Sequence, residues 1–383
     1  MVDFFFYGTL CHAPLLRIVL GRDVDTEPAQ LADHAVYWAE GHAFPVIVAA
    51  PGTVAKGVVV RGLTAQDVAR LDYYEGVFAC QSRDVAVQTA GATLTARVYI
   101  QAPGDWHPGA VWSLTDWVAR YGPTVVSTAG DVMDLHGSHP TGAVLRRYPQ
   151  MLARGASRVR AEQSAIPTNL RRRAVPGDVE QVARRLPYAN FFAVEEADLR
   201  FRRFDGTMSR VIDRAVFLSS DAVTVLPYDP VRDRVLLIEQ FRPGPHARGD
   251  AQPWLLEAIA GRIDPGETPQ DAARREAVEE AALELGDLIS VAGYYPSPAG
   301  KAEFLYSYIG LADLPDGVAG VFGVDEEAED IRGHLIGFDT LMQLIAGGEV
   351  AHGSLLVSAL WLALERPRLR GASPTNTSLK GSG

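Results

Sequence analysis

The densest chemistry in this sequence lies at Arg275-Glu276-Ala277-Val278-Glu279-Glu280-Ala281-Ala282-Leu283. On a helix, Glu276 and Glu280 share one face at i,i+4 with Glu279 beside them, so three carboxylates converge. Like charges so placed repel, and no lysine is interleaved to relieve them. A hard divalent cation can do so: Mg²⁺ takes oxygen ligands octahedrally while keeping several waters and substrate phosphates. Arg275, with Glu267 one loop upstream, supplies an ion pair to hold the helix on its loop. The plainer alternative is an acidic helix face turned to water.

A second constellation opens the chain. Phe4-Phe5-Phe6-Tyr7-Gly8-Thr9-Leu10 is an apolar strand running into a glycine turn, where freed backbone amides can bind an anion. A helical pattern over residues 65–74 ends at Glu75-Gly76, a carboxylate just before a glycine stop. Two cysteines, Cys11 and Cys80, cannot build a disulfide framework or a four-thiolate zinc site, and a reducing cytoplasm fits them. Free buried thiols are the expectation for both.

The elements that must position these residues call for two domains, since 383 residues exceed one modest core. With 47% hydrophobic and 22% charged residues the chain is globular in composition, not fibrous or disordered. A net charge of −11 disfavours non-specific adhesion to nucleic acid or anionic membrane. The N-terminus lacks a basic region, and no run approaches the ~20 apolar residues of a membrane helix, so a soluble cytoplasmic protein is expected.

Short strands at 3–7, 36–37, 46–49, 55–60, 83–88 and 93–100 around a helix at 64–74 read as an α+β domain. Helical stretches follow at 112–121 and 141–160. Between Thr141 and Arg185 ten arginines face three acids, a local +7 that leaves −18 elsewhere. That block is either an RNA- or phosphate-binding surface or a linker docking on the acidic remainder; the near absence of aromatics to stack bases favours the linker. The expected division is a first domain over 1–160, a basic linker over 161–185, a second domain over 186–368 and a flexible tail over 369–383. The second domain should hold strands at 222–228, 235–240 and 304–309 and helices at 269–283, 338–346 and 354–364.

Spacing in the second domain resembles the Nudix hydrolase box: Gly261, Glu267, Arg275, Glu276, Glu279, Glu280 and Leu283 fall in its register. Ala282 stands where the family has glycine, and alanine, the better helix former, should lengthen the helix slightly. The likeness extends over nearly all of 186–366 to the ADP-ribose pyrophosphatase branch, through Phe191-Phe192, Phe204-Asp205-Gly206-Thr207-Met208-Ser209, Glu239-Gln240-Phe241-Arg242, Pro253-Trp254-Leu255-Leu256-Glu257 and Ser297-Pro298-Ala299-Gly300. The resemblance implies an α/β/α sandwich and a homodimer that exchanges N-terminal strands. It also implies Mg²⁺-dependent hydrolysis of ADP-ribose to AMP and ribose 5-phosphate, with Mn²⁺ able to substitute. By position, the Ala260 carbonyl, Glu276 and Glu280 would hold metal with Glu279 contributing; Glu329 matches a further ligand and Glu327 the catalytic base. Residues 326–330 could otherwise be a plain acidic loop. Arg242 matches an arginine at the diphosphate or ribose phosphate, the alternative being a surface arginine. Phe191 or Phe192 would stack on adenine or pack as core aromatics at a strand start.

Residues 3–100 resemble the gamma-glutamylcyclotransferase-like (AIG2-like) superfamily, through Tyr7-Gly8-Thr9-Leu10, Gly57-Val58-Val59-Val60 and Leu71-Asp72-Tyr73-Tyr74-Glu75-Gly76. That likeness implies a mixed barrel in which the Tyr-Gly loop holds a γ-glutamyl group. Glu75 would shuttle a proton as the substrate's amine attacks its own γ-carbonyl, giving 5-oxoproline. Gln81-Ser82-Arg83 keeps the arginine of the family's Tyr-any-Arg and loses its tyrosine. A non-catalytic ligand-binding or docking domain is the other reading.

Overall fold

A computed structural model of the chain describes residues 1–78, 80–101, 106–165, 167–323 and 329–371. They gather into two compact units, Met1–Ala215 and Val216 onward.

In the first unit the strands Pro45–Leu63, Val2–Phe6, Thr93–Ile100, Gln81–Thr89 and Glu27–Ala39 hydrogen-bond in that order. Glu27–Ala39 pairs back onto Pro45–Leu63, closing a five-stranded barrel. Val2–Phe6 lies parallel to Thr93–Ile100 and antiparallel to Pro45–Leu63, so the barrel is mixed. Its interior is an apolar cluster of Phe5, Tyr7, Ala29, Leu31, Ile47, Ala55, Val59, Val87, Ala96 and Val98. The two strands expected at 46–49 and 55–60 are one strand of 19 residues. Its Pro51-Gly52 turn signal is absorbed as an irregularity in the ladder, where Asp33 at φ 57° accepts the Gly52 amide at 2.8 Å.

The helix Ala65–Gly76 starts at a capping box in which Thr64 and Asp67 satisfy each other's backbone amides. Arg22 also grips Asp67, at 3.0 and 2.7 Å. Two helices of this unit lie outside the expected ones, Ala13–Leu20 and Gly122–Asp134. The first carries ordinary signals, Pro14 in its first turn and Gly21 at φ 75° as its stop. The helix expected over 141–160 is divided into Thr141–Leu145 and Tyr148–Gln163, the second starting with Pro149 in its first turn. Much of the basic block docks on acids of its own unit. Arg154 and Arg158 reach Asp131 at 3.5 and 3.2 Å, Arg172 reaches Asp178, and Arg184 binds Asp131, Asp134 and Glu195. The stretch expected to be a linker runs into the strand Val179–Ala189, which forms a hairpin with Ala193–Phe201.

The second unit centres on a mixed sheet in the order Leu288–Tyr294, Leu305–Leu311, Ala222–Asp229, Arg234–Phe241, Ile331–Gly337, Val321–Phe322. Trp254–Glu257 and Ile259–Arg262 pair onto Arg234–Phe241 and Ala222–Asp229. On Arg234–Phe241, Leu236 and Ile238 pack against the helix Pro269–Ala281. Val235 and Leu237 face the helices Phe338–Gly347 and Gly353–Gly371. A strand covered on both sides must be apolar on both sides, which is why Val235-Leu236-Leu237-Ile238 shows no alternation. The result is an α/β/α sandwich. The helix Pro269–Ala281 is not lengthened by Ala282: that residue caps it in the left-handed region, at φ 47° and ψ 37°. Closing the helix there requires the glycine-type conformation, and chain geometry overrides alanine's helix propensity. Among the described residues no helix is long and apolar enough to cross a membrane.

Candidate functional site

Thr268 begins the carboxylate helix by accepting the Asp271 amide at 3.1 Å, and Pro269 occupies the first turn. Glu276 then lies against the strand Ile259–Arg262, and only glycine permits this: a Cβ at Gly261 would stand 1.8 Å from a Glu276 carboxylate oxygen. Glu280 is 2% exposed, and its carboxylate accepts the Ala260 amide at 3.0 Å. Arg275 ties the loop to the helix as expected, donating to both Glu267 oxygens at 2.9 and 3.0 Å, to Glu276 at 2.8 Å and to Glu279 at 2.9 Å.

The electrostatics follow from this packing. The Arg275 guanidinium holds Glu267 below the usual carboxylate range. Burial pushes Glu276 up to about 7, partly countered by Arg275 and reinforced by Glu279 and Glu329. Burial likewise pushes Glu280 up to about 8, with the Ala260 amide opposing and Glu276 and Glu329 adding to it. Among the described residues no three His, Cys, Asp or Glu side chains are gathered closely enough to hold a metal by themselves. The donors fit an ion held by one or two carboxylates that completes its shell with water and phosphate oxygens, as Mg²⁺ does.

Across from the helix, Arg242 is no free surface arginine. It donates through Nε and Nη2 to the two oxygens of Glu257, both at 2.8 Å, and Glu257 is 1% exposed. The charges of Glu280 and Glu329 also act on Arg242, which places the three groups in one electrostatic neighbourhood. Glu257 stood in the sequence as the end of Pro253-Trp254-Leu255-Leu256-Glu257 without a role; no spacing rule connects it to Arg242, because strand pairing makes the contact. The expectation for Glu327 falls outside the described residues. Phe191 and Phe192 are not core aromatics at a strand start. They form the tip of the Val179–Ala189 hairpin in the first unit, edge to face at 4.8 Å, with Phe191 exposed.

The first unit has its own candidate site. Tyr7 is buried and donates to the Gln101 side chain at 3.3 Å, while Gln101 donates to the Pro45 carbonyl at 3.1 Å. Gly8 touches the Pro45 ring so closely that a Cβ would stand 2.5 Å from it. Thr9–Cys11 forms a 3₁₀ turn with Leu10 buried beneath it. Burial pushes Glu75 up to about 7, with a hydrogen bond from the Cys80 thiol opposing. Burial holds the Tyr7 hydroxyl well above its ordinary value, and Glu75, Cys80 and Cys11 all lie close enough to act on it. The Tyr-Gly loop, Glu75 and both cysteines are therefore one neighbourhood. The thiols stay protonated: burial pushes Cys11 up to about 12, and burial with Glu75 raises Cys80 further. Arg83 lies elsewhere, at 3.1 Å from the exposed His34 ring. Tyr99, which no sequence motif marks, donates at 2.6 Å to Asp72, one turn before Glu75.

A sheet sandwiched by helices, with carboxylates on one helix near a braced arginine, is a build suited to hydrolysing a phosphorylated substrate. The NUDIX domain family model matches residues 219–354, and that of gamma-glutamyl cyclotransferase, AIG2-like, matches residues 4–119. An ADP-ribose pyrophosphatase of Escherichia coli is 37% identical over 193 residues, 50% of this chain and 91% of its own. One of Haemophilus influenzae is 32% identical over 195 residues, 50% and 89% of the two chains. A GDP-mannose pyrophosphatase of Klebsiella pneumoniae is 29% identical over 173 residues, 45% and 85%. The chain belongs to the Nudix hydrolase family, with an AIG2-like gamma-glutamyl cyclotransferase domain ahead of its Nudix domain.

Proposed function

We propose that the Nudix domain hydrolyses ADP-ribose to AMP and ribose 5-phosphate, with Mg²⁺ as its metal and Mn²⁺ able to replace it. The observation that carries this is the 37% identity across 91% of an ADP-ribose pyrophosphatase. The carboxylates of half-buried Glu276 and buried Glu280, with Glu329 acting on both, give it a chemical basis. A bound divalent ion would neutralise the diphosphate and acidify a water. Glu276, Glu280 and the Ala260 carbonyl would hold it, Glu329 would join as a further ligand once the ion draws the carboxylates together, and Glu279 would add to the local charge. Arg242, kept in place by Glu257, presents its remaining guanidinium edge to a phosphate oxygen. Glu327 takes the proton of the attacking water.

Purified protein should release AMP from ADP-ribose only when Mg²⁺ or Mn²⁺ is added. Glu280→Gln should lower turnover roughly a hundredfold or more, because several kcal/mol of charge stabilisation go with the ligand. Its melting curve should remain cooperative. Undiminished turnover in that variant would sink the site assignment. GDP-mannose belongs in the same assay, since the relatives of that name match at 29% identity.

A second reading concerns the first domain and rests on the Tyr7, Gly8 and Glu75 neighbourhood. It forms 5-oxoproline from a γ-glutamyl amine, with Glu75 accepting and returning the amine's proton. The full chain should make 5-oxoproline from some γ-glutamyl compound, and Glu75→Gln should abolish this. Binding without turnover would make the domain a ligand-binding one. The reading also includes a cytoplasmic homodimer, with 1–160 and 186–368 as the functional halves and Phe191 or Phe192 stacking on adenine.

A further inference from the structure

We infer that Gln240 is a substrate-holding residue of the Nudix site, its side-chain amide donating to an oxygen of the bound nucleoside diphosphate between Arg242 and the carboxylate helix. The inference rests on the hydrolase reading above. Along the strand Arg234–Phe241, Leu236 and Ile238 pack toward the helix Pro269–Ala281, and Val235 and Leu237 toward the opposite layer. Gln240 continues the even series, so it projects from the sheet face that looks at Glu276 and Glu280. Its neighbour across one ladder is Leu255. On the other side, the register that pairs Glu239 with Arg332 sets Ile331, two residues past Glu329, beside it.

Gln240 is 6% exposed, and its Nε2 is buried with no hydrogen-bond partner among the described residues. The other polar groups of this wall are engaged: Arg242 and Glu257 hold one another, and Glu280 holds the Ala260 amide. Buried amides in folded proteins are almost always satisfied, and leaving one unpaired is costly. A leucine or methionine would extend the apolar series of Leu236 and Ile238 at no such cost. The donor is therefore accounted for by an acceptor that arrives with the ligand. Phosphate and ribose oxygens are the acceptors that a diphosphate lying between Arg242 and metal-binding carboxylates brings to this wall.

Gln240→Met keeps the length of the side chain and removes the donor. Without substrate it should melt a few degrees above wild type, because the unpaired amide is gone. With Mg²⁺ and ADP-ribose its kcat/KM should fall about 10- to 100-fold, the loss of one hydrogen bond to a charged oxygen. Gln240→Leu should show the same two opposed shifts if methionine packs poorly. A lower melting temperature in both variants marks a packing residue and overturns the inference, as does an unchanged kcat/KM. Wild-type turnover judges the hydrolase reading itself, whereas the melting shift needs no substrate, so the two ideas can fail separately.

Discussion

At the scale of single residues, two positions hold conformations or protonation states their residue types resist. Ala282 sits at φ 47° and ψ 37°, where a Cβ crowds the following carbonyl. Ala282→Gly should stabilise the second unit by about 1 kcal/mol, partly offset by the glycine's freedom when unfolded. Thermal melting should show a rise of a few degrees, and no rise would mean that neighbouring contacts compensate the strain. Glu75 presents the opposite case, a carboxyl that burial raises from 4.5 to about 7. The native state therefore holds this proton more tightly than the unfolded chain does. Stability from that difference is complete below about pH 4.5 and is lost as pH rises through about 7. Glutamine in its place has nothing to ionise. The melting temperature of Glu75→Gln relative to wild type should climb across that window and level off above it. A difference that stays flat with pH would show that the carboxyl is not desolvated.

At the scale of elements, the site depends on how closely a helix can approach a strand. Gly261 has no unusual φ; it is glycine because Glu276 occupies the space its Cβ would fill. Gly261→Ala should push the Glu276 carboxylate away from Ile259–Arg262 and cut kcat/KM roughly 10²-fold, the cost of an ~1 Å misplacement. Near-wild-type rates would mean that Glu276 can shift without loss. This requirement was legible in the sequence as a fixed glycine before the helix, though its reason needed the packing. The carboxylate helix, its cap and the Arg275–Glu267 tie were legible because they depend on local spacing. Glu257 and Gln240 were not, because their roles arise from strand register and face. The helix Ala13–Leu20 was missed although Pro14 and Gly21 mark its ends, and the long strand Pro45–Leu63 was divided because Pro51-Gly52 normally ends a strand.

For the whole molecule, the hairpin of Val179–Ala189 and Ala193–Phe201 is claimed by both halves. Its contacts group it with the first unit. Yet the likeness to the Escherichia coli enzyme runs 193 residues, longer than Val216–Gly383, so it reaches back into this segment. Val179–Ala189 is also the outer strand of its sheet, and Val179, Val182, Tyr188 and Phe191 on the hairpin are exposed. An unpaired edge carrying apolar side chains is a template for another chain. Both facts are reconciled if the hairpin serves the Nudix half of a second copy. Light scattering at micromolar concentration should then give a mass near twice 41.4 kDa. A lysine at the edge, Val182→Lys, should shift the protein toward monomer and lower ADP-ribose turnover together, because the charge must be desolvated for strands to pair. A wild-type protein that is monomeric and fully active at that concentration would leave the hairpin to the first unit alone.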